Sequence, residues 1–331
     1  MENGKIINLM KTKIIPIAGD ASSRKFYRAV VNKKSRIIVF SKKNKYKNLA
    51  AYTSVNKFLR EKNFLAPKLY EHNYKKGIII IEDFGNLSFH KVLLREKNKF
   101  KTYKKLVDLL SEIQKIKPKN KIKNIITKNY LIEKYSIKKL HSESDLFFKW
   151  YLPIFFKRKE VLEIKKKIKR TLTKLYHKLN FSNKYFVHRD FHVQNLIKVG
   201  KRIGIIDSQD ALIGNPAYDL VSLIDDVRIK TSNQLKNKVY NYYLKKNFKI
   251  HKFDKHKFLQ DFNTLSVQRS LKIIGIFARL YKRDQKKKYL KLIPYTWKIL
   301  ENRMDTEYFY NIKYILDKKV TKKMRKKIIL K

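Results

Sequence analysis

Over the first 85 residues, short apolar runs broken by polar turns alternate with one helical stretch. IIPI (14–17) and FYRAVV (26–31) flank the loop AGDASSR, and the turn NKKSR (32–36) leads into IIVF (37–40), as strands and their turns do. From Asn48 to Asn63 the period changes, with Leu49, Tyr52, Val55, Phe58 and Leu59 recurring at helical spacing. Strand character returns in KLYEHN, a YKKG turn and IIIIEDFG (78–85). Three strands, a helix and two strands predict a small antiparallel lobe over residues 1–85, closed where Gly85 and Asn86 permit a sharp exit.

The remainder, 86–331, reads as mainly helical. Leu106, Leu109, Leu110 and Ile113 line one helical face, and Val161, Ile164, Ile168, Leu172 and Leu175 another. Beyond about residue 216 helical spacing continues to the end, including Leu265, Leu271, Ile274, Phe277 and Leu280. The lysine-laden stretch around 115–130 has no clear apolar period and is expected to be a surface connection; the tail KKVTKKMRKKIILK is expected to be a solvated, frayed helix. The fold class predicted is α+β and bilobal, a small antiparallel β lobe followed by a larger, mainly helical one.

One segment interrupts the helices and carries chemistry: YFVHRDFHVQNLIKVGKRIGIIDSQDA, residues 185–211. An apolar approach delivers His188, Arg189 and Asp190, and Asn195 follows five residues after the aspartate. LIKV (196–199) and IGII (203–206) read as two strands around the tight turn GKR, with Asp207 closing the second. In a hairpin the residue entering the first strand lies beside the residue leaving the second. Asn195 and Asp207 are therefore expected side by side, offering amide and carboxylate oxygens to one hard cation. Mg²⁺ suits so sparse an oxygen site, because it keeps waters and takes further ligands from nucleotide phosphates. Asp190 would lie near that ion, free to orient a substrate hydroxyl and accept its proton during phosphoryl transfer.

Composition changes this picture little. The 331 residues hold 81 Lys+Arg against 27 Asp+Glu, a net charge of +54. Such a surplus is the footprint of nucleic-acid or anionic-membrane binders. Here it is mostly lysine spread along the whole chain, and it accompanies abundant Ile, Asn, Tyr and Phe with only 8 Gly and 6 Pro. That is the signature of A/T-rich codons, so no specific nucleic-acid partner is expected. The absence of cysteine excludes disulfides, thiolate metal sites and a cysteine nucleophile. The first 20 residues contain no apolar stretch of signal-peptide length, and the longest aliphatic run is Ile78 to Ile81. A cytoplasmic protein without membrane insertion is expected; oligomeric state is not legible.

H-R-D-x-x-x-x-N followed by a metal-binding Asp resembles the protein-kinase signature. The departures are specific: Asp207-Ser208-Gln209 stands where DFG would be, His192 replaces a lysine, and no APE-type segment follows. Instead come Asp210-Ala211 and GNPAYDLVSLI (214–224), with which the chain resembles the aminoglycoside-phosphotransferase family of small-molecule kinases. GDASSRKFYR (19–28), DLFFKWYLP (145–153), DSQDALIGNPAYDLVSL (207–223) and QRSLKIIGIFARLYKRD (268–284) are similar to the bacterial N-acetylmuramate/N-acetylglucosamine anomeric kinases. The resemblance implies ATP and Mg²⁺ as cofactors, an amino sugar as acceptor and phosphorylation of its C1 hydroxyl in cell-wall recycling. The alternatives are another small alcohol (an aminoglycoside, a choline-like amine or a different sugar), a catalytically silent nucleotide scaffold, or a basic nucleic-acid binder.

Within that resemblance, GDASSR stands where a kinase has its glycine-rich phosphate cover, making Gly19, Ser22, Ser23 and Arg24 candidates for phosphate contact. IIVF carries no strand lysine, Lys42 and Lys43 lie just beyond it, and Lys57 occupies the helix where a partner glutamate is expected. Arg24 or Arg28 would supply the missing charge. Glu82, Asp83 and Phe84 end a strand at the lobe junction, either meeting adenine or serving as a plain linker. His188 is expected to orient the loop, and Asp219 of PAYDL to support it through hydrogen bonds from the HRD backbone. His192, Asp210, Arg269 (beside Gln268) and Trp150 (beside Tyr151) remain candidates for acceptor contact, each with a packing or capping role as the other reading.

Overall fold

The computed structural model describes residues 13–17, 24–32, 34–41, 46–124, 128–181, 183–251 and 254–326. In chain order it contains β1 (Lys13–Ile17), β2 (Lys25–Val31), β3 (Lys34–Phe40), α1 (Tyr46–Glu61), β4 (Leu69–Asn73), β5 (Ile78–Glu82), α2 (Phe89–Arg95) and α3 (Lys99–Gln114). A hairpin of β6 (Lys121–Asn124) and β7 (Lys128–Leu131) precedes α4 (Ile137–Leu146), α5 (Arg158–His177) and β8 (Tyr185–Val187). The second hairpin, β9 (Leu196–Val199) and β10 (Arg202–Ile205), leads to β11 (Leu212–Gly214), α6 (Ala217–Ile224), α7 (Asn233–His251) and α8 (Lys255–Lys282). The chain continues through α9 (Ile293–Arg303), α10 (Tyr310–Lys319) and α11 (Lys322–Lys326). Two compact units emerge, one from residues 1–95, 118–133 and 188–212, the other from 96–117, 134–187 and 213–331.

The first unit is built on the expected antiparallel sheet, ordered β1-β2-β3-β5-β4. Helical spacing in α1 puts Leu49, Val55 and Leu59 on one fully buried face. Leu49, Ala50 and Tyr52 from that helix join Val39, Ile79 and Ile81 from the sheet and Tyr74 from the β4–β5 turn in one apolar core. Burying such side chains stabilises by about 1.5–3 kcal/mol each. The stretch read as a surface connection is instead partly the β6–β7 hairpin. Its alternation is real but short: Lys121 and Lys123 are exposed while Ile122 is buried, and Asn124 Nδ2 donates to Ser54 Oγ of α1 at 3.0 Å. One apolar residue in four is too weak a period to read, and it forms a strand because α1 offers a surface for it.

The second unit is helical, with Leu106, Leu110 and Ile113 of α3 and Val161, Ile164, Ile168, Leu172 and Leu175 of α5 all buried as their spacing predicts. The long helix α8 is buried along most of its length. At Gly275 an added Cβ would stand 2.3 Å from the Leu146 carbonyl carbon, so only glycine lets α8 approach the end of α4. Of the tail, residues 327–331 lie outside the described residues; the lysines of 318–326 are exposed as expected, but the Arg325 side chain is 7% exposed, bonded to Glu301 at 2.6 Å and Asp317 at 2.7 Å, and lies over Trp297. Lysine-rich flanks hid that one anchoring arginine. Among the described residues no helix is long and apolar enough to cross a membrane.

Asp225 is a buried charge at the centre of an ion-pair cluster in this unit. Its carboxylate receives Lys236 Nζ at 2.8 Å, Arg303 at 2.9 and 3.1 Å, and Ser266 Oγ at 2.7 Å. Burial alone would raise its pKa, but the two cations outweigh it and hold the carboxyl well below the usual carboxylate range. Asp225→Ala leaves two cations without their anion and should cost about 3–5 kcal/mol in urea unfolding. A pKa depressed on folding gives stability that is complete above the ordinary value of about 3.9 and is lost as pH falls toward the native one. The gap between wild type and variant should therefore narrow in acid.

Candidate active site

The β9–β10 hairpin is antiparallel, with Val199 opposite Arg202 and Leu196 opposite Ile205. The ladder runs one residue further outward, where the Ile206 N–H donates to the Asn195 carbonyl at 3.0 Å. Asn195 thus stands opposite Ile206, and Asp207 is the next residue. Asp207 has φ 65° and ψ 39°, the left-handed region, from which the chain enters the turn Ser208–Asp210. A short polar side chain tolerates that conformation better than most.

The HRD loop is tied to the same hairpin end. His188 is 1% exposed, and its Nε2–H donates to the Ile206 carbonyl at 3.1 Å. Burial pushes its pKa down against the opposing charges of Asp190, Asp207 and Asp210. The Asp190 carbonyl accepts the His192 N–H at 2.9 Å and Asn195 Nδ2 at 3.0 Å, while the His192 carbonyl accepts the Asn195 N–H at 2.9 Å. The buried His192 ring lies with Nε2 3.4 Å from Asn195 Nδ2. With its nitrogen turned into the loop, Asn195 has Oδ1 left for a cation. Arg189, at φ 71°, donates to the Asp210 carbonyl at 3.1 Å and lies 3.7 Å from its carboxylate. Asp210 also accepts Gln209 Nε2 at 3.0 Å.

The β-sheet brings Arg24 to this turn. Its guanidinium donates to Asp207 Oδ1 at 2.6 Å and to Gln209 Oε1 at 3.0 Å. Two residues that sequence reasoning missed lie on α1, four apart and so on one face: Tyr52 and Asn56. Ser208 Oγ donates to Asn56 Oδ1 at 2.6 Å, both residues being buried. The Tyr52 hydroxyl sits beside Asn56 and the Asp207 backbone, and burial pushes its pKa up to about 12. Lys57, which occupies the helix position where a partner glutamate is expected, is exposed. The signal available was an Asn at helical spacing from an apolar Tyr, which composition disguises as ordinary helix. A third missed residue is Tyr130 of β7, whose pKa is raised by burial and then by the nearby charge of Asp210.

At the end of β5, Glu82 accepts the Lys68 N–H at 3.1 Å and Arg60 at 3.3 Å. Asp83 is gripped by Arg28, whose Nε and Nη2 donate to its two carboxylate oxygens, and it accepts the Gly85 N–H at 2.8 Å. Burial would raise the Asp83 pKa, but these hydrogen bonds prevail and hold it low. The Phe84 ring packs on Gly204 of β10, where an added Cβ would come within 2.6 Å of it. Gly19, Ser22, Ser23, Lys42 and Lys43 lie outside the described residues. Arg269, Trp150 and Asp219 belong to the second unit. There Arg269 is 4% exposed and donates to Ser222 Oγ at 2.8 Å, Asp219 is fully buried in α6, and Trp150 is half-buried with Lys149 over its ring.

Among the described residues no group of three or more His, Asp or Glu is arranged to hold a metal by itself. One carboxylate and one amide oxygen at the mouth of a hairpin form a donor set that fits Mg²⁺ only with waters and substrate oxygens completing its shell. A phosphate-bearing substrate supplies such oxygens, so the donor set and phosphoryl transfer are chemically matched.

Residues 13–255 match the phosphotransferase enzyme family (APH), and the chain belongs to it. It is similar to the N-acetylmuramate/N-acetylglucosamine kinase of Neisseria meningitidis serogroup B, 29% identical over 282 residues covering 84% of this chain and 81% of that one. The Pseudomonas aeruginosa kinase of the same name is 26% identical, covering 87% and 83%. Among solved structures, ADP-bound aminoglycoside phosphotransferase APH(2'')-Ib superposes with a TM-score of 0.58 at 16% identity, over 91% of this chain and 96% of that one. The protein is a phosphotransferase of the α+β, kinase-like fold expected from its sequence.

The Asn56–Ser208 contact is testable by itself. Asn56→Ala and Ser208→Ala should each destabilise by about 1–3 kcal/mol by orphaning a buried partner. In a double-mutant cycle followed by chemical unfolding, the pair should fall short of additivity by about 0.5–1.5 kcal/mol.

Proposed function

We propose that this phosphotransferase uses ATP and Mg²⁺ to phosphorylate the C1 hydroxyl of N-acetylmuramate or N-acetylglucosamine, in the cytoplasm and in cell-wall recycling. The observation that carries the reading is the hairpin register that sets Asn195 opposite Ile206, one residue from Asp207, with Asp190 bonded to Asn195 through its carbonyl. Relatives bearing the name of that activity, the Neisseria and Pseudomonas aeruginosa kinases among them, support the choice of acceptor. In this reading residues 1–85 serve the nucleotide side, and 86–331 carry catalysis and the acceptor. Asn195 Oδ1 and the Asp207 carboxylate hold the divalent ion, whose chemistry is to neutralise charge on the transferring phosphoryl oxygens.

Asp190 orients the acceptor hydroxyl and takes its proton. An anomeric hydroxyl is more acidic than an ordinary alcohol, so modest base assistance suffices. Arg24, with Gly19, Ser22 and Ser23, contacts phosphate. Glu82, Asp83 and Phe84 border the adenine through their backbone, since the Asp83 and Phe84 side chains are committed to Arg28 and Gly204. His188 and Asp219 support the loop, and His192, Asp210, Arg269 and Trp150 belong to acceptor recognition directly or through packing. No specific nucleic-acid partner and no membrane insertion enter this function.

Asp190→Ala should lower kcat by about 10²- to 10⁴-fold while changing ADP affinity by less than about twofold, as read by turnover and calorimetry. Near-normal turnover would remove the role given to that carboxylate. A panel of N-acetylmuramate, N-acetylglucosamine, aminoglycosides and choline with ATP tests the acceptor, and an anomeric phosphate reveals itself by release of phosphate in mild acid. Preference for an aminoglycoside or an amino alcohol would replace the acceptor and leave the phosphotransfer chemistry standing.

A further inference from the structure

We infer that Arg24 is a lock on the metal-binding carboxylate, closed in the free protein and opened when a polyphosphate draws the guanidinium away. The inference rests on the reading that Asp207 takes a divalent ion, and deepens it by stating when that carboxylate becomes available.

The neighbouring guanidinium groups of the first unit are committed elsewhere. Arg28 holds Asp83 and reaches Asn86 at 2.9 Å. Arg36 pairs with Glu71 at 3.1 Å and lies 4.5 Å from the centre of the Tyr70 ring. Arg24 alone of these three grips the carboxylate that closes the catalytic hairpin, at 2.6 Å. Its seat is built for a planar cation, with the Phe26 and Tyr52 ring centres 5.6 and 5.9 Å away. Gln209 provides a second acceptor at 3.0 Å. The Arg24 side chain is 9% exposed, whereas that of Asp207 is 35% exposed, so the carboxylate is open to solvent while its charge is already balanced.

A dication and a guanidinium compete for one negative charge, and each repels the other at this range. With Arg24 in place, a divalent ion meets a neutralised ligand and a cation beside it. Phosphate oxygens offer the same planar fork a stronger bidentate partner than one carboxylate oxygen and one amide oxygen. Drawing the fork toward phosphate leaves Asp207 with its full charge. Polyphosphate and divalent ion then favour each other's binding through one side chain, and by linkage the favour is mutual.

The probe is Mn²⁺, titrated by electron paramagnetic resonance into the intact protein with and without saturating ADP. Arg24→Gln should bind Mn²⁺ about tenfold more tightly than wild type in the absence of nucleotide, and ADP should then enhance Mn²⁺ affinity correspondingly less. Gln209→Ala removes one of the two anchors and leaves both charges, so it should move Mn²⁺ affinity in the same direction by a smaller factor, and it serves if Arg24→Gln fails to fold. Unchanged nucleotide-free Mn²⁺ affinity in the folded variants overturns the lock. Asp207→Ala distinguishes the two levels: if it binds Mn²⁺ with ADP as wild type does, the metal reading itself fails; if it loses that binding while Arg24→Gln behaves as wild type, only the lock fails.

Discussion

Ile206 is held through both of its backbone groups, and the site depends on that. Its N–H closes the β9–β10 ladder onto Asn195, and its carbonyl receives His188 Nε2 from the HRD loop. Two chain segments that approach from different directions therefore share one residue as their reference point. Asp207 follows immediately, so its left-handed backbone and its carboxylate inherit whatever position Ile206 is given. Burial lowers the His188 pKa and so favours the neutral imidazole in this arrangement.

Electrostatics around this point are local, despite a chain of +54. Arg24 is set on Asp207, Arg28 on Asp83 and Arg189 on Asp210, each a short-range pairing in which geometry decides the partner. The second unit follows the same rule with the signs reversed in number, a single Asp225 answering Lys236 and Arg303. Dispersed surface lysines contribute a screened background field, which falls away over about 10 Å at moderate salt. They cannot substitute for a guanidinium placed within 3 Å of a carboxylate, as Arg24 is.

Legibility differed by kind of signal. The sheet, α1, α5 and the β9–β10 hairpin were readable because their apolar residues repeat with the period of the element over several turns or strand residues. The β6–β7 hairpin was not, since Ile122 alone carries its buried face. The buried Arg325 was hidden for the same reason: a single residue has no period. Around that hairpin, the register that sets Asn195 opposite Ile206 was legible from spacing, whereas Tyr52 and Asn56 were not, because what Asn56 holds, Ser208, lies at a separation of 152 residues.

Local order along the chain determined the alternation of strands and helices, the hairpin with its two oxygen-bearing ends, and the absence of thiol chemistry. These follow from neighbours within a few residues, whose geometry the backbone dictates. Folding in three dimensions decided which cation answers which anion: that Arg24 rather than Arg28 reaches Asp207, that Arg28 is drawn to Asp83, and that Asn56 takes the Ser208 hydroxyl. A guanidinium on a long flexible stem has many acceptors within reach of its sequence neighbourhood. The packing of β2 and α1 around the turn after β10 is what sets Arg24 on Asp207 and Gln209.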